Sequence, residues 1–108
     1  MPERPTMIHV IAIITTQPGK RTSVLEAFHA NVPAVRAEAG CIEYAAAVDL
    51  ADGPAFQAQC GPDCFMVIEK WESLDALKAH SAAPHMVAYG AITREMVASR
   101  AIHILQPA

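Results

Sequence analysis

The sequence predicts an α+β fold whose elements run strand, helix, strand, strand, helix, strand, and three observations carry that prediction. Short apolar or β-branched blocks recur at Ile8 to Thr16, Cys41 to Leu50, Phe65 to Glu72 and Ala101 to Leu105. Between the first two, Val24, Leu25, Phe28, Val32 and Val35 fall on one helical stripe, with Arg36 and Glu38 outside it. The first strand also lacks a polar face: Ile8, Val10, Ala12 and Ile14 point one way, His9, Ile11 and Ile13 the other.

Each element has its own signals. Gln17-Pro18-Gly19 stops the first strand, and Thr22 or Ser23 is expected to open the first helix. Pro33 removes one hydrogen bond inside that helix and crowds the carbonyl of His29, so a kink is expected there; Gly40 closes the helix. The second strand ends at Asp52-Gly53-Pro54, and residues 52–62 read as a long connection. After the third strand, Ser73 is an N-cap with Asp75 in the first turn of a short helix through Leu74, Leu77 and His80. Pro84 begins the next turn, and helix is expected from Met86 to Val97, with Met86, Tyr89, Ile92, Thr93 and Met96 on one side. The order is the ferredoxin-like split βαβ pattern, with a four-stranded antiparallel sheet. Its two helical layers cover one face only. A second copy packing sheet to sheet is the economical cover for the other, which makes a homodimer the expected assembly.

Composition bounds the function. A chain of 108 residues is one domain, 1–108, with its core from about residue 7 to about 107. Mean hydropathy is +0.23, high for so small a domain, and a chain of this size buries only about two-thirds of its unfolded surface. The net charge is −3 with basic residues scattered singly, so no nucleic-acid partner is expected. Membrane insertion is not expected either, because Ile8 to Ile14 is too short to span. Met1 to Thr6 is polar and broken by proline, unlike a secretory leader. Cys41, Cys60 and Cys64 are an odd count, and Cys60-Gly-Pro-Asp-Cys64 lacks CxxC spacing. They are expected as free thiols in a cytoplasmic protein, the alternative being an adventitious disulfide.

The third strand carries the chemistry. Alternation puts Phe65, Val67, Glu69 and Trp71 on one face and Met66, Ile68, Lys70 and Glu72 on the other. If the first face is buried, the Glu69 carboxylate needs a partner or a raised pKa. His80 follows within reach of the same space. A carboxylate, an imidazole and an indole around one apolar cavity suit binding and deprotonating an aromatic hydroxyl. The plainer alternatives are that Glu69 meets Lys or solvent at a strand end, that His80 caps carbonyls at a helix end, and that Trp71 is simply core. His80 and His85 lie on different helix faces, so no metal pair is expected. His9, His29 and His103 sit on separate elements and receive no role. No Gly-rich phosphate loop, nucleophile elbow or HExxH is present.

Phe65-Met-Val-Ile-Glu-Lys-Trp-Glu-Ser73, Leu77-Lys-Ala-His80 and Pro84-His-Met86 together resemble the signature of the antibiotic-biosynthesis-monooxygenase domain. Pro18-Gly-Lys20 and Glu38-Ala-Gly-Cys-Ile-Glu-Tyr44 fit the same domain, while Phe56-Gln57 and Ile104-Leu-Gln-Pro107 most resemble its quinol monooxygenase branch. The resemblance implies a dimeric α+β barrel with a pocket between each sheet and its own helices. It implies oxygenation of a quinol or polyphenol by dioxygen without flavin, haem or metal. Within that frame His80 and Glu69 are the catalytic candidates, and Trp71, Phe65, Val67, Leu77, His85 and Tyr89 the substrate-binding ones.

Departures from sister branches narrow this. Polyketide-tailoring members carry an asparagine where this chain has Val67 and a tyrosine where it has Leu77. Haem-degrading relatives need an asparagine and a histidine at positions that here correspond to Ile13 and Gly90, which disfavours haem cleavage. A branch acting on a small phosphorylated signalling sugar shares a pattern like Glu69, His80, Pro84 and His85. Isomerisation or degradation of such a metabolite is the alternative enzyme activity, although the sequence shows no basic cluster to hold its anion. The remaining alternative is a non-catalytic dimer that binds a quinone-like ligand.

Overall fold

The computed structural model describes residues 7–108; Met1 to Thr6, where no leader is expected, lies outside the described residues. Seven elements follow in order: β1 (Ile8–Thr16), α1 (Arg21–Arg36), β2 (Cys41–Ala47), β3 (Cys64–Trp71), α2 (Leu74–Ala82), α3 (Pro84–Thr93) and β4 (Val97–Leu105). The strands form one antiparallel sheet in the order β2-β3-β1-β4, the ferredoxin-like arrangement. Among the described residues no helix is long and apolar enough to cross a membrane.

The β-branched run of β1 takes the centre, pairing Val10 with Glu69 of β3 on one side and with Ile104 of β4 on the other. Its Val10 and Ala12 face the same core as Phe65, Val67 and Trp71 of β3 and Val24, Phe28, Val32 and Val35 of α1. The helical stripe read from the sequence is thus the buried one, with Leu25 packed at its margin. Val10, one of the two faces of β1 open to a partner copy on sequence grounds, is 1% exposed on the helix-covered side. Any sheet-to-sheet partner must therefore meet the other face, where Ile11 and Ile13 of β1 lie beside Ile68 and Met66 of β3 and all four are half-buried.

Several boundaries move, each for a local reason. Helix α1 begins at Arg21 rather than at Thr22 or Ser23, and Lys20 caps it without a side-chain bond. Long-range anchoring substitutes for a cap: Gly19 N donates to Asp63 Oδ1, and Arg21 Nη1 donates to the carbonyls of Gly61 and Cys64. Pro33 lies inside α1 without ending it. Strand β2 stops at Ala47, not Leu50, because the Asp49 carboxylate turns to accept the Cys60 and Gly61 amides of the connection. Those two bonds hold its carboxyl below the usual range. Cys60 and Cys64 form a disulfide, which corrects the expectation of free thiols; Cys41 alone is free.

At the C-terminal end, α3 stops at Thr93 and β4 starts at Val97, so the expected helix to Val97 is too long. Val97, Ser99 and Arg100 pair with Thr16, Thr15 and Ile14 of β1, and these ladder bonds override the apolar spacing that reads as helix. Ser73 caps α2 as expected, its Oγ accepting from Ala76 N at 3.1 Å. Ala83, extended at ψ 138°, separates α2 from α3, and Pro84 opens α3.

Candidate active site

A cavity of about 330 Å³ lies between the sheet and α2 and α3. Val10 and Ala12 of β1, Tyr44 of β2 and Glu69 of β3 form its sheet wall, and Leu77, His80, Met86 and Tyr89 its helical wall. At its β4 side stand Arg100, Ile102 and Ile104, with Arg94 just beyond α3. Ile102 and Ile104 are each 55% exposed, so the cavity opens along this edge.

Glu69 points inward because strand alternation puts it in line with Phe65, Val67 and Trp71, and it is 7% exposed. Its Oε1 accepts from Trp71 Nε1 at 2.9 Å, so its side-chain partner is the indole and not a lysine. Burial pushes its carboxyl above the usual range, opposed by the Trp71 hydrogen bond and the nearby His80. Tyr44 is buried in stacked contact with Phe28, ring centroids 5.0 Å apart, and burial pushes its phenol far up, so it remains a hydroxyl donor. Arg36 Nε and Nη2 donate to the Tyr44 carbonyl and hold that stretch of β2 against the end of α1. Burial also raises the Tyr89 phenol, opposed by Arg100 across the cavity.

His80 sits in the last turn of α2, 5% exposed, tilted against Trp71 with ring centroids 4.6 Å apart. Its ring caps no carbonyl: Nδ1 meets Glu38 Oε2 at 2.8 Å, and Nε2 makes no hydrogen bond among the described residues and keeps open surface at the cavity it lines. Glu69, the carboxylate paired with His80 on sequence grounds, is not the one that holds the imidazole. The orienting carboxylate is Glu38, in the turn between α1 and β2. With the carboxylate oxygen accepting, Nδ1 is assigned as the donor, which leaves Nε2 as the acceptor.

Glu38 reaches this place because of Gly40. That residue turns the chain at φ +84°, and a side chain there would put its Cβ 2.6 Å from Ala76 Cβ of α2. The Glu72 amide donates to the Gly40 carbonyl at 2.8 Å, fastening the turn to the start of α2. His85 also converges on Glu38: its Nε2 lies 3.3 Å from the same Oε2, out of hydrogen-bonding alignment. The interruption at Ala83 allows both imidazoles to meet one oxygen, which their spacing on a regular helix forbids.

Of the sequence-predicted residues, Glu69, His80, Leu77 and Tyr89 line the cavity. Trp71 and Phe65 are wholly buried and Val67 nearly so; they support the wall from behind, Trp71 by holding Glu69 and His80, Phe65 by packing on Phe28. His85 lines a second, smaller cavity between α1 and α3. Sequence reasoning missed Tyr44, Arg94, Arg100 and, above all, Glu38. The usable signal was a carboxylate placed between the last buried position of α1, Val35, and the glycine that turns the chain. Arg94 and Arg100 both line the cavity although the sequence shows no basic cluster, and neither pairs with a carboxylate among the described residues. No three His, Cys, Asp or Glu side chains among the described residues are grouped as metal ligands would be.

Residues 7–91 match the family described as antibiotic biosynthesis monooxygenase. The chain belongs to this family. It is 46% identical over 103 residues to the Escherichia coli (strain K12) protein named "Probable quinol monooxygenase YgiN", covering 94% of this chain and 98% of that one. Among solved structures, PA3566 from Pseudomonas aeruginosa is 26% identical with a TM-score of 0.80 over 99% of both chains. Rv0793 from Mycobacterium tuberculosis is 27% identical with a TM-score of 0.77, over 94% of this chain and 95% of that one. This member of the family is thus a monooxygenase-type enzyme, and the cavity bounded by Glu69 and His80 is its candidate active site.

Proposed function

We propose that the protein oxygenates a quinol or polyphenol-like aromatic with dioxygen, using His80 as the base and no resident cofactor. The observation that supports this best is the open Nε2 of His80 at an apolar cavity, its Nδ1 held by Glu38 at 2.8 Å. Phenolic hydroxyls have a pKa of about 10, and a positioned base contributes about a hundred- to ten-thousand-fold to such a proton transfer. As the N–H bond forms at Nε2 the O–H bond breaks, and the quinolate left behind is electron-rich enough to reduce dioxygen itself. The balance closes without an external reductant: one quinol and one dioxygen give one hydroxyquinone and one water. Glu69, its carboxyl pushed up by burial, is suited to share a proton with the ring oxygen or with the departing peroxide oxygen. The apolar walls hold the ring and exclude water.

The proposal includes a homodimer, since Ile11, Ile13, Met66 and Ile68 give the second sheet face an apolar surface for another copy. It also includes a cytoplasmic setting, for which the cysteines no longer argue once Cys60 and Cys64 are paired. The test is to load the protein anaerobically with a panel of naphthoquinols and catechols and then admit oxygen. Hydroxyquinone formation supports the proposal. Ligand binding without turnover, unchanged in Glu69→Ala and His80→Ala, overturns it in favour of a binding module.

A second reading, isomerisation or degradation of a small phosphorylated metabolite, has one observation in its favour: Arg94 and Arg100 at the cavity mouth. It requires turnover of an anionic sugar without oxygen uptake, and loss of that turnover on Arg100→Ala.

A further inference from the structure

The two cavities are joined by a line of proton-carrying groups, hydrogen-bonded at its His80 end and out of hydrogen-bonding alignment at its His85 end. His80 lines the larger one, and His85 lines the smaller one, of about 210 Å³, between α1 and α3. Glu38 Oε2 stands between them, 2.8 Å from His80 Nδ1 and 3.3 Å from His85 Nε2. The side chains of His80 and Glu38 are only 6% and 16% exposed, so the link is shielded from solvent. Both ring nitrogens of His85 are covered and without a hydrogen-bond partner, although its side chain is 27% exposed. Its open surface thus belongs to carbon atoms. Buried imidazole nitrogens without partners are rare enough to need an explanation.

We infer that His85 is a proton-relay residue, which carries the substrate proton from His80 through Glu38 to the second cavity. The inference rests on the proposed reaction, in which His80 takes a hydroxyl proton. A substrate filling the larger cavity blocks the direct route from Nε2 to water, so the base must unload on its other side. Each transfer balances. Nε2 first gains the substrate proton; Nδ1 then gives its own to Glu38 Oε2, and that O–H breaks as the N–H at His85 Nε2 forms. A half-turn of the His85 ring about Cβ–Cγ then exchanges nitrogen and carbon positions and brings the N–H towards the exposed side. The same steps in reverse return a proton for dioxygen reduction. Other titratable groups face this line: Cys41 and Tyr44 of β2, Glu69 of β3 and Tyr89 of α3, with Arg36 at the end of α1. Of these only Tyr89 lines both cavities, and burial raises its phenol, which suits it to hold its proton and not to pass one on.

The experiment compares the wild-type protein with His85→Ala, using a naphthoquinol loaded anaerobically and then oxygen. The expected result is a kcat lowered about tenfold or more with KM nearly unchanged, a larger solvent isotope effect, and recovery of rate on adding free imidazole. A wild-type kcat in His85→Ala, or a loss that imidazole does not restore, overturns the relay. An independent reading needs no turnover: the ring nitrogens of His80 and His85, followed by NMR in the wild type, should titrate as a coupled pair and separate in Glu38→Gln. Independent titration in the wild type overturns the relay even if His85→Ala does not fold. Coupled titration with no quinol turnover would instead leave the linkage standing and sink the proposed reaction.

Discussion

Glu38 orients the imidazole that faces the cavity, so its removal is the sharpest perturbation of the proposed chemistry. The His80 Nδ1 to Glu38 Oε2 contact is 2.8 Å long and shielded on both sides. A hydrogen bond involving a charged group contributes about 1.5–3 kcal/mol, against about 0.5–1.5 kcal/mol between neutral groups. The bond strengthens when Nε2 is protonated, because both partners then carry charge. Its contribution therefore falls in the transition state rather than the ground state. Glu38→Gln keeps an acceptor and loses the charge, a difference of about 1–1.5 kcal/mol, or roughly five- to tenfold in kcat. Glu38→Ala removes the whole bond and should lower kcat roughly ten- to a hundredfold. His80→Ala should be worse, by about a hundred- to ten-thousand-fold.

The assay is oxygen uptake together with quinone absorbance after anaerobic loading with a naphthoquinol, between about pH 6 and 9, the range around imidazole titration. The decisive sample is the double variant Glu38→Ala/His80→Ala. Glu38 acts only through His80, so the double variant should be no slower than His80→Ala alone. Losses that multiply, or a wild-type kcat in Glu38→Ala, would refute the reasoning.

Glu69→Gln should raise stability at neutral pH, read by urea unfolding, provided the Trp71 bond is kept. The native carboxyl is raised by burial, so the folded state holds a proton that the unfolded state releases, and the wild type loses stability as pH climbs from the ordinary carboxylate range towards the raised value. The advantage of the variant should vanish in acid; an advantage that persists there means the burial argument is wrong. Ile11→Asp should convert a dimer to a folded monomer by light scattering, whereas Val10→Asp, opposite Glu69 in the ladder, should unfold the chain by burying an unpaired carboxylate. A wild-type protein that is monomeric at micromolar concentration would end the dimer proposal. Gly40→Ala should destabilise by about 1–3 kcal/mol from the left-handed backbone and the contact with Ala76, lowering Tm by roughly 4–8 °C per kcal/mol. Adding Ala76→Gly should recover the contact part only, and full recovery would show that φ at Gly40 is unstrained.

Period and composition made most of the sheet legible. Alternation along Phe65 to Trp71 identified the face that carries Glu69, and the lack of a polar face on Ile8 to Ile14 marked a strand apolar on both sides of the sheet. The errors lie where pairing or side-chain anchoring overrides period. Helix is expected as far as Val97 because the apolar spacing of α3 continues to Met96, yet α3 stops at Thr93 and Val97 already pairs with Thr16 of β1. The start of α1 is set by Arg21 reaching across to Gly61 and Cys64, forty residues or more along the chain, which no local pattern announces. The disulfide is equally silent, because a spacing of four residues between Cys60 and Cys64 says nothing about how the loop folds back.

The site was half legible for a related reason. Glu69 stands on a regular strand, where period 2 gives its direction. His80, His85 and Glu38 meet only because regular structure is broken twice around them. On an uninterrupted α-helix, residues five apart lie about 140° apart around the axis. Pro84 disfavours a helical Ala83, and Ala83 at ψ 138° re-aims α3 so that His85 returns to the oxygen His80 already holds. Gly40, at φ +84°, does the same for Glu38. Both breaks were visible in the sequence as punctuation, the proline read only as the start of a helical turn and the glycine only as the end of a helix. Their function here is to bring three titratable side chains from different elements to one point, so each break is as much a part of the site as the groups it aims.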